Sequence, residues 1–138
     1  MILIAEDESY NQELLLQYMT GEREYNMSED RIIIVNNGKE ALDAVKKNEK
    51  IKVILMDVRM PGMNWYEATR EIRTILKDIP DRKIKIIGQT AHAYSGDKQD
   101  CIAAGMDAYI AKPILMPKLN ETIIHVVDSE DLTPDTKN

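Results

Sequence analysis

Five short apolar runs alternate with helical patterns along the chain's 138 residues, and this alternation predicts a doubly wound α/β domain built on a parallel sheet. The runs are continuously apolar where a half-solvated strand would alternate, so helices should cover both faces of the sheet. Four of the runs end in a group suited to handling a phosphoryl group, and open α/β sheets place their ligands at the carboxyl edge of the strands. The length, with 43% hydrophobic and 30% charged residues, fits one compact domain with a real core.

The first strand reads Ile2 to Ala5 and delivers Glu6-Asp7. Ser9 with Gln12 has the pattern of a capping box opening the first helix. Thr20 to Asp30 reads as a polar connection with room for an extra turn of that helix. The second strand is expected over Arg31 to Val35, and Asn37 with Glu40 repeats the capping pattern after it. Lys52 to Met56 forms the third strand, with Asp57 at its end and Asn64 with Glu67 opening the next helix. The fourth strand is expected over Lys83 to Ile87, in an apolar run that leads through Gln89 to Thr90. Gly105 suits the left-handed residue that closes the fourth helix. Ala108 to Ala111 is the fifth strand, ahead of Lys112-Pro113. Pro117 suits the first turn of the last helix, where Leu119, Ile123 and Val127 make an apolar stripe. The domain is expected to span residues 1–128, leaving 129–138 as an acidic disordered tail.

Charge and cysteine content narrow the classes. A net charge of -6 argues against direct nucleic-acid binding, which needs a basic footprint, and favours a protein partner with a basic surface. No apolar stretch approaches the ~20 residues of a membrane span, and the N-terminus lacks the features of a secretory signal, so a soluble cytoplasmic module is expected. Cys101 is the only cysteine, which excludes an intrachain disulfide and a thiolate metal cluster. Beside Ile102 and Ala103-Ala104 it reads as a small core residue.

The strand-end groups make a coherent chemistry. Glu6, Asp7 and Asp57 at one site repel each other unless a cation neutralises them, and oxygen ligands without His or Cys favour Mg²⁺ or a similar hard ion. Lys112 supplies a mobile positive charge and Thr90 a hydroxyl donor, both suited to the oxygens of a phosphoryl group in transfer. Asp57, between metal and lysine, is then a nucleophile able to form an aspartyl phosphate. Taken singly, each has a commoner reading: an acidic helix start, a turn aspartate, a buried strand threonine, a solvated lysine. Only the phosphoryl-handling reading predicts all of them at strand ends together.

Ile2 to Asp7, Asn11, Leu14, Met56-Asp57-Val58-Arg59-Met60-Pro61-Gly62-Met63, Glu67-Ala68-Thr69, Thr90-Ala91-His92-Ala93 and Gly105 to Pro113 closely resemble a response-regulator receiver domain over residues 2 to 127. The flavour is that of receivers of hybrid sensor histidine kinases and phosphorelays. The resemblance implies a flavodoxin-like sheet of order 2-1-3-4-5, Asp57 as phosphoacceptor, and Mg²⁺ arranged by Glu6, Asp7, Asp57 and the backbone carbonyl of Arg59. It also implies that Thr90 and Lys112 contact the phosphoryl group, that Tyr109 is an aromatic switch, and that the Lys112-Pro113 bond is cis. The donor would be a phosphohistidine on a sensor histidine kinase or a histidine-phosphotransfer protein. Arg59 and His92, two residues beyond acceptor and threonine, are expected at the rim of the site, where they would tune the lifetime of the phosphoryl group.

The chain departs from the family pattern in three places that bear on structure, one of them the long connection from Thr20 to Asp30, which bears on the surface of the first helix. Asn64-Trp65 stands where Asp-Gly is usual, which is tolerable if the backbone there is helical and costly if it needs positive φ; Trp65 is read as a local adaptation ahead of a partner contact. Gln89 stands where an apolar residue is usual. Rival classes fit less well. A haloacid-dehalogenase-type phosphatase needs an acid two residues after its nucleophile, where Arg59 stands. Glu6-Asp7-Glu8 would repel a phosphate cradled by a flavodoxin-like carrier, and no Walker motif is present. The alternative kept open is a pseudo-receiver that binds partners without phosphorylation, whose hallmark would be a missing acid or lysine.

Overall fold

Five parallel strands form one sheet in the order β2-β1-β3-β4-β5, with β1 at Ile2–Ala5, β2 at Ile32–Val35, β3 at Val53–Asp57, β4 at Lys85–Thr90 and β5 at Ala108–Ala111. The helices are α1 Ser9–Thr20, α2 Gly38–Lys47, α3 Trp65–Lys77, α4 Gly96–Ala104 and α5 Met116–Asp135. The structure, a computed structural model, describes residues 1–21, 28–58, 65–90 and 96–135, with side chains described except at 96–98 and beyond 127. Among these residues no helix is long and apolar enough to cross a membrane.

Alternation along the strands sorts side chains into two cores. Leu3, Ala5, Ile54, Met56 and Ile86 pack beneath α2, α3 and Cys101 of α4, while Ile2, Ile4, Val53, Leu55, Ile87 and Ile110 pack beneath α1 and α5. Burying one such side chain contributes about 1.5–3 kcal/mol, so covering both faces explains the unbroken apolar runs. Leu119 and Ile123 are buried as the stripe predicted, and Val126 joins them, with Val127 packed at the margin. The register pairs Ala5 with Met56, Asp57 with Gln89 and Thr90 with Ala111, bringing the carboxyl ends of four strands level.

Several local expectations are corrected. β3 begins at Val53 and includes Asp57; β4 begins at Lys85 and runs through Thr90, because Asp57 pairs with Gln89 and Thr90 with Ala111. A single 3-10 turn at Glu29–Arg31 takes Arg31 out of β2. The proposed box at Ser9 does not form: Ser9 is already helical, and Glu8 holds the N-cap position without a side-chain bond. The Gln12 amide is drawn to tertiary partners, donating to the Glu6 carbonyl and to Asn36 Oδ1, which ties α1 to two strand ends. At α2 the box is offset. Asn37 Oδ1 accepts from Glu40 N at 2.8 Å, but Glu40 Oε1 accepts from Asn36 N. Asn64 lies outside the described residues.

α1 stops at Thr20, Gly21 N donating to Tyr18 O; residues 22–27 of the connection, where an extra turn was expected, lie outside the described residues. Gly105 does close α4, at φ 104°. Gly105 N donates to Ile102 O and Met106 N to Cys101 O, the paired bonds of a Schellman motif. A side chain there would be strained by that φ, and its Cβ would come 3.0 Å from Arg73 Cγ. Pro117 falls in the first turn of α5 as expected. That helix continues to Asp135, so the backbone is helical over residues read as the start of a disordered tail; no glycine or proline stops it before Pro134.

Candidate functional site

β1 and β3 end level, so Glu6 and Asp57 stand side by side at the sheet edge, both buried. Asp7 follows on the first turn out of β1. One carboxylate oxygen from each of Glu6, Asp7 and Asp57 lies within 4.8 Å of the others. Glu6 Oε2 accepts from Glu8 N at 3.2 Å, whereas its Oε1 is buried without a hydrogen-bond partner among the described residues. Burial first, and then the neighbouring Asp57 carboxylate, push the Glu6 carboxyl up to about 7. A buried acid oxygen with no protein partner, two further carboxylates in reach and only hard oxygen donors are the attributes of a Mg²⁺ site. Arg59, whose carbonyl was expected to complete the set, lies outside the described residues.

Lys112 reaches from the end of β5 across β4 and sets its Nζ 2.7 Å from Asp57 Oδ2. Its backbone N donates to Thr90 O at 2.8 Å, and the Lys112-Pro113 bond is cis, as the resemblance implied. Thr90 is fully buried at the end of β4. Tyr109 is half-buried and packs against the core on the α3 and α4 side, opposite Gly88 in register. Trp65 opens α3 on helical backbone and packs partly against the same core. His92 lies outside the described residues, so neither expected rim residue is placed.

The structure thus brings together Glu6, Asp7, Asp57 and Lys112, with Thr90 one position further along β4. What the sequence did not anticipate is the depth of Gln89. It is fully buried in the row with Asp57, and neither amide atom has a hydrogen-bond partner among the described residues.

Residues 2–124 match the sequence profile of the response regulator receiver domain. The chain belongs to that family. It is 38% identical over 115 residues to hybrid signal transduction histidine kinase H of Dictyostelium discoideum, a match covering 83% of this chain and 8% of that protein. The receiver domain of the sensor histidine kinase PA1611 of Pseudomonas aeruginosa, solved with a magnesium ion in its active-site cleft, superposes with a TM-score of 0.72 at 31% identity, covering 90% of this chain and 93% of that one. The Saccharomyces cerevisiae Ssk1 receiver domain, solved with the histidine phosphotransfer protein Ypd1, gives a TM-score of 0.81 at 26% identity, with 97% and 92% covered. This receiver domain therefore has the length of the isolated receivers and spans under a tenth of the kinase it matches.

Proposed function

We propose that this receiver domain takes a phosphoryl group from a phosphohistidine onto Asp57, as one stage of a phosphorelay or hybrid-kinase pathway. The reading rests above all on one contact, the 2.7 Å pairing of Lys112 Nζ with the Asp57 carboxylate inside the acid cluster. Asp57 Oδ attacks phosphorus, the phosphorus–nitrogen bond breaks, and its electron pair returns to the donor imidazole. Glu6, Asp7 and Asp57, with the Arg59 carbonyl as the resemblance implies, would hold Mg²⁺, which would neutralise charge during transfer. Lys112 moves with the charge from carboxylate to phosphoryl oxygen, and the Thr90 hydroxyl donates to another. No acid or lysine is missing, so nothing favours a pseudo-receiver.

The donor has an apolar seat beside the acceptor. Tyr10, 76% exposed, and Leu14 of α1 join Pro113, Ile114 and Met116 around a depression of about 480 Å³ that reaches Lys112. Exposed apolar groups clustered at a reactive site fit a protein partner. Incubated with Mg²⁺ and a small phosphoramidate, the protein is expected to gain one phosphoryl group by intact mass, and chelating the metal should stop the gain. A folded protein of unchanged mass refutes the proposal.

Phosphorylation is expected to reach the surface through Thr90 and Tyr109. Drawing the Thr90 hydroxyl toward the phosphoryl group frees room for the Tyr109 ring, which has an apolar body and a polar tip. Thr90→Ala should still be phosphorylated yet lose most of the NMR shift changes around Tyr109. A full wild-type response in that variant disproves the coupling. Arg59 and His92 are proposed as the rim residues that set how fast water removes the group, to be read from decay rates of their single substitutions.

A further inference from the structure

A buried amide with both ends unpaired is costly, and an apolar side chain of the same shape avoids that cost. Gln89 is such an amide: it has no exposed surface, and neither Oε1 nor Nε2 has a hydrogen-bond partner among the described residues. Its place in the sheet suggests what it is for. Gln89 is paired with Asp57 on β3 and with Ile110 on β5, and residues paired directly across a sheet carry their side chains on the same face. Ile87, two residues back along β4, packs in the core under α1 and α5, which fixes that face. Lys112 crosses the strand that carries Gln89 in order to reach Asp57. The amide therefore lies beside the acceptor, in the strand bridged by the ion pair.

We infer that Gln89 is a positioning residue of the phosphoryl site, whose amide donates, through one bound water, to the Asp57 oxygen that does not carry phosphorus. A buried water needs two to four polar partners, and the Gln89 amide, the Asp57 carboxylate and the Lys112 ammonium supply them. This rests on Asp57 being the acceptor. In the aspartyl phosphate that second oxygen is a neutral carbonyl; after the group leaves it shares the charge of a carboxylate. Hydrogen bonds to the charged form are the stronger, so the amide favours the state without phosphate. In hydrolysis, a water oxygen bonds to phosphorus, the phosphorus–Oδ bond breaks, its electron pair remains on Asp57, and the water's proton goes to solvent or to the departing phosphate. The amide stabilises the carboxylate that forms and shortens the life of the phosphorylated protein.

Gln89→Met and Gln89→Leu, which keep the volume and remove the donor, test this in the full chain. Each is phosphorylated with phosphoramidate and Mg²⁺, uptake and decay are followed by intact mass, and the melting temperature is measured on the same preparations. The expected result is decay slowed about five-fold, the margin by which a hydrogen bond to a charged acceptor exceeds one to a neutral acceptor, with uptake equal to or faster than wild type and melting unchanged or raised. A residue that only fills space gives the opposite sign, since loosening the site slows uptake and leaves decay unchanged or faster. Unchanged or faster decay in a variant that still accepts phosphate overturns the inference. Failure of the wild type itself to accept phosphate removes the acceptor reading and this one with it.

Discussion

Asp57→Ala is expected to take up no phosphoryl group from phosphoramidate or from a phosphohistidine partner, while folding normally. Uptake is lost outright because the nucleophilic oxygen is gone and no other carboxylate described at the site is paired with Lys112. The fold should survive for an electrostatic reason. Asp57 is buried beside Glu6 and its charge is one of the causes that hold the Glu6 carboxyl above its ordinary value. Deleting one of the three crowded carboxylates relieves that repulsion, and Lys112, whose charge already acts on Glu6, is left facing the acids that remain. The melting temperature is therefore expected at or above that of wild type. Intact mass after phosphorylation and a thermal melt check both halves. A phosphorylated Asp57→Ala protein would mean that another residue is the acceptor.

The sheet was legible because its signal is redundant. Ala108–Ala111 is bounded by Asp107 and Lys112, and Ile2–Ala5 by the chain start and Glu6, so both strands are legible to the residue. β4 is less legible at its ends: the expected span Lys83 to Ile87 follows the β-like apolar residues, whereas pairing of Gln89 with Asp57 and of Thr90 with Ala111 carries the strand through to Thr90. The acid cluster was legible for a similar reason: a strand end fixes where a side chain must lie, so Glu6 and Asp57 could be placed together before any geometry was known. Helix caps were less so. Ser9 and Gln12 have the spacing of a capping box, yet Gln12 finds better partners in Glu6 O and Asn36, residues brought near only by the fold. Gln89 shows the same limit. An amide in an apolar run is visible in sequence, but its complete burial next to the acceptor depends on the sheet's register.

Glu6 is expected to make the site sensitive to pH across the neutral range. Its carboxyl is held up at about 7 from an ordinary 4.5, chiefly by burial and then by Asp57. Mg²⁺ needs the deprotonated form, so affinity should weaken by about tenfold per pH unit below 7, with the Glu6 proton released on binding. The same shift acts on stability with a definite sign. Between 4.5 and about 7 the folded chain without metal keeps a proton on Glu6 that the unfolded chain has lost. The folded state then binds more protons, and the Glu6 contribution to stability falls as pH rises through that window. Bound Mg²⁺ reverses the trend, because it stabilises the ionised form and adds its own binding free energy to folding. Glu6→Gln removes the titrating group and should flatten the pH dependence, while weakening Mg²⁺ by at least about tenfold at alkaline pH through loss of a charged ligand. Thermal melts of wild type and Glu6→Gln from about pH 5 to about pH 8, with and without Mg²⁺, isolate the Glu6 term as the difference between the two proteins. Parallel curves for the two in the absence of metal would show that the Glu6 carboxyl is already ionised throughout, and that burial beside Asp57 does not raise it.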